Sequence, residues 1–115
     1  VQELRIKLEY KAFEIAKQYN TIRDYKSALI VLEDFVSDYP GTPYREDALF
    51  YILDSSYEIA VNSIQSKKLA GLNNAKKLYD ELIRTYPETK YLDKSNDMLN
   101  VIDEEIIIFA KNIIQ

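Results

Sequence analysis

Apolar residues recur at three- and four-residue steps along most of the chain, which is the period of an amphipathic α-helix. The first such segment predicts a helix over residues 3–19. Residues 20–23 interrupt the pattern, and Asp24 has the side chain of a helix N-cap. The predicted inward face of the first helix consists of Leu4, Leu8, Ala12, Ile15, Ala16 and Tyr19.

The second segment predicts a helix over residues 25–38, which ends at Tyr39-Pro40 because the residue before a proline is disfavoured in the α conformation. Thr42 is the predicted N-cap of a third helix, and Pro43 the predicted first-turn residue, where a missing N–H costs nothing. The third helix is expected to extend to about residue 64. The predicted inward residues of these two helices are Tyr25, Ala28, Leu29, Leu32, Phe35, Val36, Ala48, Leu49, Ile52, Leu53, Ser56, Ile59 and Ala60.

Residues 62–74 contain Gly71 and several polar side chains, and they are predicted to form the longest connection, with helix over part of the segment as the alternative. A fourth helix is predicted over residues 73–85, ending at Tyr86-Pro87. Thr89 is then expected to cap a fifth helix. The inward residues of that helix are predicted to be Ser95, Met98, Leu99, Ile102 and Ile106.

The last part of the fifth helix has a different pattern, because residues 106–110 and 113–114 make it apolar on nearly every side. An exposed terminal helix would not tolerate this composition, so the segment is predicted to be an interface. The segment is expected to pack either on further helices or a partner protein, or on a second copy of the chain. The candidate contact residues are Ile107, Phe109 and Ile113.

The turn at Tyr39-Pro40 recurs 47 residues later at Tyr86-Pro87, each time with a threonine two residues after the proline. Apolar positions recur with it, so the chain contains an internal repeat. Counted back from Pro40, the apolar and small residues fall at the spacing of the 34-residue tetratricopeptide pattern, with Ala12 and Ala16 at its tryptophan and glycine positions. The prediction is an all-α, tetratricopeptide-like solenoid of about five helices. Its single domain over residues 1–115 would contain one repeat at 9–42, a second at 43–90 with an insertion near 62–74, and a terminal helix at 91–114.

Composition narrows the possible functions. Among 115 residues there is no cysteine and no histidine, which removes disulfides, thiolate or imidazole metal sites and histidine-based catalysis, and no cofactor is expected. The net charge is −4, and no basic stripe is present for a nucleic acid. The pairs Lys67-Lys68 and Lys76-Lys77 are expected to lie on solvated helix faces. Ser55-Ser56 has no catalytic base and Glu104-Glu105 no second carboxylate pair, so an enzyme is not expected.

Three segments carry a closer resemblance: residues 3–17, residues 24–40 and residues 43–63, especially Tyr44-Arg45-Glu46-Asp47-Ala48 and the run from Ser55 to Ser63. Together they resemble the C-terminal half of the outer-membrane assembly lipoprotein family BamD, also called YfiO, in its Bacteroidetes-like form. The resemblance implies a helical scaffold at the periplasmic face of the outer membrane, in the machinery that inserts β-barrel proteins. Its implied partners are the central barrel-assembly subunit and other assembly lipoproteins. The chain is then expected to be an excerpt, with further repeats and a lipid anchor upstream as its membrane contact.

In a tetratricopeptide groove the first helix of each pair faces the partner, which predicts a binding surface with aromatic anchors. The candidates are Tyr10, Phe13, Lys17, Asn20, Phe50, Asp54 and Tyr57. The alternative for Phe13 and Phe50 is that they pack between neighbouring helices. Alternative functions are an adaptor that grips a peptide carboxylate, which Asp54 and Glu58 oppose, and the tetratricopeptide coordinator of the Tol envelope system, whose repeats lack such an insertion.

Overall fold

The computed structural model describes the backbone of residues 2–114 and the side chains of residues 3–112. It is 84% helical. Within the described range there are five helices and no strand. The predicted all-α, tetratricopeptide-like helical array is therefore confirmed. The helices are α1 (Gln2–Thr21), α2 (Tyr25–Asp38), α3 (Arg45–Val61), α4 (Gln65–Thr85) and α5 (Leu92–Ile114).

The chain divides into two compact units, Val1–Ser55 and Ser56–Gln115. In the first unit α1 packs against α2, and in the second α4 packs against α5. Ala16 of α1 and Ala28 of α2 are both fully buried, and side chains of this size let two helices approach closely. Leu32 and Phe35 of α2 complete this core with Phe13 of α1.

The inward face predicted for α1 is partly wrong. Ala16 is buried, but Leu4, Leu8 and Ile15 are 60%, 53% and 49% exposed. Phe13, outside the predicted stripe, is buried instead, because its ring packs on aromatic side chains of α2 and α3 and so fixes the rotation of the helix. Ile15 lines a shallow pocket of about 250 Å³ together with Gln18, Tyr19 and Ile22.

α1 ends at Thr21, and two residues later Arg23 has a left-handed backbone with a φ of 66°. The Arg23 N–H donates to the Asn20 carbonyl (3.0 Å), and the Asp24 N–H donates to the Tyr19 carbonyl (2.9 Å). This pair of bonds is the Schellman arrangement that closes many helices. Asp24 then caps α2 as predicted, since its side chain accepts a hydrogen bond from the Ser27 N–H at 3.3 Å.

The turns after α2 and α4 have the same geometry. Tyr39 and Tyr86 end the two helices at φ, ψ of −127°, 68° and −131°, 75°. Three residues later the N–H groups of Thr42 and Thr89 donate back to these tyrosine carbonyls at 3.0 and 3.1 Å. The internal repeat seen in the sequence is thus also a repeat of backbone conformation.

Both threonines act slightly differently from the prediction. The Thr42 Oγ1 accepts from the Tyr44 N–H (3.1 Å), and the Thr89 Oγ1 from the Tyr91 N–H (3.2 Å). α3 and α5 begin only at Arg45 and Leu92, so each threonine fixes the turn ahead of the helix and is not itself its N-cap. Pro43 likewise precedes α3 and does not lie in its first turn.

The connection predicted over residues 62–74 is much shorter than expected, because α4 begins at Gln65 and not near residue 73. Gly71 therefore lies inside a helix. A Cβ at this position would be 3.1 Å from the Ala60 Cβ and 3.2 Å from the Ala60 Cα. The glycine allows α4 to pass close to α3, which explains its place in a helical segment. Around this contact, the core of the second unit is formed by Ala60, Leu72, Ala75 and Ile102.

α5 is held to α4 by polar as well as apolar contacts. The Lys68 Nζ lies 3.0 Å from Glu105 Oε2, the Lys76 Nζ lies 3.1 Å from Asp103 Oδ1, and the Tyr79 hydroxyl is hydrogen-bonded to Asn96 Oδ1. Ile106 packs against the core of this unit. In the part of the chain that the structure describes, none of the helices combines the length and hydropathy needed to cross a membrane.

Candidate protein-binding surface

Three tyrosines of the first unit form a partly accessible aromatic surface, called here the tyrosine row: Tyr10 of α1, Tyr44 of the turn and Tyr51 of α3. The Tyr10 ring meets the Tyr44 ring edge-on, with a centroid distance of 5.8 Å and an interplanar angle of 60°. Tyr10 is 50% exposed, and the other two are half-buried. Tyr51 follows Tyr44 by seven residues, which is two helical turns.

Phe13 joins the tyrosine row to the core. Its ring stacks on Tyr44 with a centroid distance of 5.1 Å and an angle of 7°, and it also meets Tyr51 at 6.3 Å and Phe35 at 5.7 Å. Phe13 is only 5% exposed, so its ring is a support for the exposed tyrosines and is not itself accessible. Rings held in this way offer contact area at little cost in conformational entropy.

A polar cluster continues the tyrosine row along α1 and α3. The Lys17 Nζ lies 5.8 Å from the centroid of the Tyr51 ring, within cation–π range. The Asn20 Nδ2 donates to Asp54 Oδ2 and to Ser55 Oγ, both at 2.9 Å. Ser55 is fully buried, and this bond satisfies its hydroxyl. The bond to Asp54 also fixes the orientation of its partly exposed carboxylate.

The structure brings most of the predicted binding residues of the first unit into one cluster. Tyr10, Lys17, Asn20 and Asp54 line it with accessible or half-buried side chains. Phe13 lies beneath them. Phe50 is 5% exposed and meets the neighbouring Tyr51 ring edge-on at 5.3 Å.

The remaining predicted binding residues lie in the second unit. Tyr57 is half-buried and packs against the core around Ala60. Ile107 is 54% exposed, and Phe109 is half-buried. The side chain of Ile113 lies outside the part of the chain that the structure describes.

The sequence analysis missed Tyr44 and Tyr51. Tyr44 appeared only within the segment Tyr44-Arg45-Glu46-Asp47-Ala48, which carries the family resemblance. A signal was present for both, because Tyr44 and Tyr51 are two helical turns apart and Asp54 is one turn further along the same face. The inward stripe assigned to α3 drew attention to the opposite face of the helix.

The arrangement is suited to contacts with protein, because tyrosine combines a large apolar ring with a hydroxyl that can hydrogen-bond at a wet interface. Among the residues that the structure describes, no group of three or more His, Cys, Asp or Glu side chains could hold a metal ion. The Ser56 hydroxyl is buried, and within the same residues it has no hydrogen-bond partner.

The described residues form five helices without a strand, with the same turn after α2 and after α4, which is a tetratricopeptide-like helical array. The comparison with protein families identifies the family to which the chain belongs. The model of the YfiO family, described as outer membrane lipoprotein, matches residues 6–112, and the chain belongs to this family. The comparison with curated proteins gives no match.

Proposed function

We propose that the chain is a non-catalytic scaffold for protein–protein contacts in the machinery that assembles β-barrel proteins into the outer membrane, acting at the periplasmic face. The observation that carries this proposal is the tyrosine row, an accessible aromatic surface on a chain of the YfiO outer membrane lipoprotein family. Family membership supports the location at the envelope, and the surface supports the binding of another protein.

The tyrosine row supplies the kind of contact that dominates interface energetics. Partly exposed tyrosines that are pre-oriented by buried neighbours lose little side-chain freedom when a partner covers them. Lys17 and Asp54 at one end add charges of opposite sign, which fix the register of a partner more than its affinity. The proposed partners are the central barrel-assembly subunit and the other assembly lipoproteins.

We further propose the repeat organisation described from the sequence, with repeats at 9–42 and 43–90 and a terminal helix at 91–114 in a single tetratricopeptide-like domain. The matching turns at Tyr39 and Tyr86 support a repeat boundary at each of these positions. The fully buried Ala16 and Ala28 support the pairing of α1 with α2 as the first repeat.

Direct titration tests the function. The purified periplasmic part of the central barrel-assembly subunit is titrated into the chain by calorimetry, with Tyr51→Ala and Tyr10→Ala as variants. Each is expected to bind about tenfold more weakly, since an interface tyrosine contributes more than about 1 kcal/mol. Ile30→Ala is the matched control, because Ile30 is 63% exposed and α2 contributes no residue to the tyrosine row. Its affinity is expected to equal that of the unmodified chain.

The same variants distinguish the proposed function from the alternative, an adaptor of the Tol system. Parallel titrations use the periplasmic components of the Tol system. If these bind and the barrel-assembly subunit does not, the chain is a Tol-type adaptor and the proposal is wrong. Binding of the barrel-assembly subunit that is unaffected by both tyrosine variants would overturn the role of the tyrosine row.

A further inference from the structure

One end of the second unit combines exposed isoleucines with lysines that form no ion pair among the residues that the structure describes. This end is called here the α4–α5 tip: Ile64, Lys67, Ile107, Ile108 and Lys111. The Lys68–Glu105 ion pair (3.0 Å) places the first turn of α4 beside this part of α5. Ile64 precedes Lys68 by four residues, and Ile108 follows Glu105 by three. The two helices therefore contribute to the same end of the unit.

The apolar part of the tip is highly accessible. Ile64, the N-cap of α4, is 67% exposed, and Ile107 and Ile108 are 54% and 51% exposed. On α5 these two isoleucines lie opposite the buried Ile102, so they do not belong to the core of the unit. A cluster of large exposed aliphatic side chains marks an interaction site.

The charges of the tip identify what would cover it. Lys67 and Lys111 are exposed, and neither belongs to an ion pair among the described residues. Two nearby acids are already neutralised, because Glu105 is paired with Lys68 and Asp103 with Lys76. Within residues 62–68 and 104–112, all of which the structure describes, Glu104 is the one acidic side chain outside these ion pairs. Residues 106–112 contain no acid at all.

The opposite end of the α4–α5 pair has a net charge of the opposite sign. Residues 80–97 contain five acidic and three basic side chains, a net charge of −2. At the tip, residues 62–68 and 104–112 contain three basic and two acidic side chains, a net charge of +1. The positive end of the unit is therefore also its apolar end, in a chain whose net charge is −4.

We propose that the α4–α5 tip binds an anionic phospholipid surface. In this mode the isoleucines enter the boundary between headgroups and acyl chains, and Lys67 and Lys111 contact the lipid phosphates. Shallow insertion of aliphatic side chains flanked by lysines is how amphipathic segments lie on membranes without spanning them. The membrane contact expected from the sequence was a lipid anchor outside this segment, and the tip would be a second, reversible one. This inference does not depend on the proposed function.

Vesicle flotation with the 115-residue chain tests the proposal. The probes are phosphatidylcholine vesicles with and without phosphatidylglycerol. The chain is expected to float with the anionic vesicles, much less with the neutral ones, and less as salt is raised. The double variant Lys67→Glu, Lys111→Glu should bind at least about 25-fold more weakly, since each basic residue near an anionic surface contributes about fivefold. Ile107→Gln with Ile108→Gln should reduce binding to both vesicle types to background.

Matched controls come from α2, where Lys26 is exposed and Ile30 is 63% exposed. Lys26→Glu and Ile30→Gln should float like the unmodified chain, and thermal unfolding should show that all variants are folded. Equal flotation with neutral and anionic vesicles would overturn the proposal, and so would tip variants that bind like the controls. Light scattering that shows a dimer dissociated by the isoleucine variants, without vesicle binding, would identify the occupant as a second copy and also overturn it.

Discussion

Gly71 shows how one residue determines a helix contact in this molecule. α4 passes so close to Ala60 of α3 that an added Cβ would lie 3.1 Å from the Ala60 Cβ and 3.2 Å from its Cα. The second atom belongs to the backbone, so it cannot move aside without shifting the helix. A side chain at this position would therefore require Ala60 to move away by a few tenths of an ångström.

Gly71→Ala is therefore expected to destabilise the chain. Overpacking costs about 1–3 kcal/mol, and the higher helix propensity of alanine returns about 1 kcal/mol, so a net loss of about 1 kcal/mol is expected. Chemical denaturation measures it. Gly41→Ala is the control, since a Cβ there would meet nothing within 4 Å. Adding Ala60→Gly to Gly71→Ala should restore part of the helix contact, and a Gly71→Ala variant more stable than the unmodified chain would contradict the prediction.

The sequence could not reveal the role of Gly71, because a glycine among polar residues has the local signature of a loop. The close approach to Ala60 explains why a glycine occupies this helical position, and that approach is visible only once α3 and α4 are packed. The candidate site, too, could be predicted only in part, because some of its contacts depend on packing. Tyr10, Lys17, Asn20 and Asp54 follow from helical spacing, whereas the stacking of Phe13 on Tyr44 depends on the turn that places Tyr44 there.

At the scale of elements, the turns are the best predicted features. The sequence analysis identified Tyr-Pro followed by threonine as a repeated signal, and the structure shows matching backbone angles and hydrogen bonds at both copies. It predicted each threonine as the residue directly before its helix, whereas α3 and α5 begin three residues after Thr42 and Thr89. The rotation of α1 could not be predicted, because its apolar residues allow more than one inward face and the choice depends on the ring contacts of Phe13.

Thr42→Ala is expected to lower the free energy of unfolding by about 1 kcal/mol. The variant removes the acceptor of the Tyr44 N–H, at a position where the side chain is only 7% exposed and water cannot readily replace it. Thr42→Ser keeps the oxygen and should retain most of the stability, and Thr89→Ala should behave like Thr42→Ala because its bond to Tyr91 is equivalent. Unchanged melting of both alanine variants would show that these bonds do not stabilise the turns.

At the scale of the whole molecule, the chain has two compact units, and each is close to the size below which a hydrophobic core alone is marginal. Helix α3, Arg45–Val61, contributes residues to both units. The all-α class followed directly from the sequence, since helix formers and three- to four-residue steps dominate it and only two glycines and three prolines interrupt them. The two units did not follow, because they are defined by packing and not by composition.

Since both units share α3, we expect a single cooperative unfolding transition. Leu32→Ala in the first unit and Ile102→Ala in the second each remove a fully buried side chain, at a cost of about 2–5 kcal/mol. Each variant should increase amide exchange through global unfolding in both ranges, 2–55 and 56–114, by a similar factor. Faster exchange confined to the range that contains the substitution would show that the units unfold independently.

The matched turns also make residues 43–89 a cassette with equivalent junctions at its two ends. Thr42 and Thr89 form the same bonds to Tyr39 and Tyr86, so a second copy of the cassette inserted after Thr89 would begin and end in a turn that the chain already makes. Tandem duplication then needs no new loop. The number of hairpins in such a chain can change by whole units while every junction keeps its hydrogen bonds.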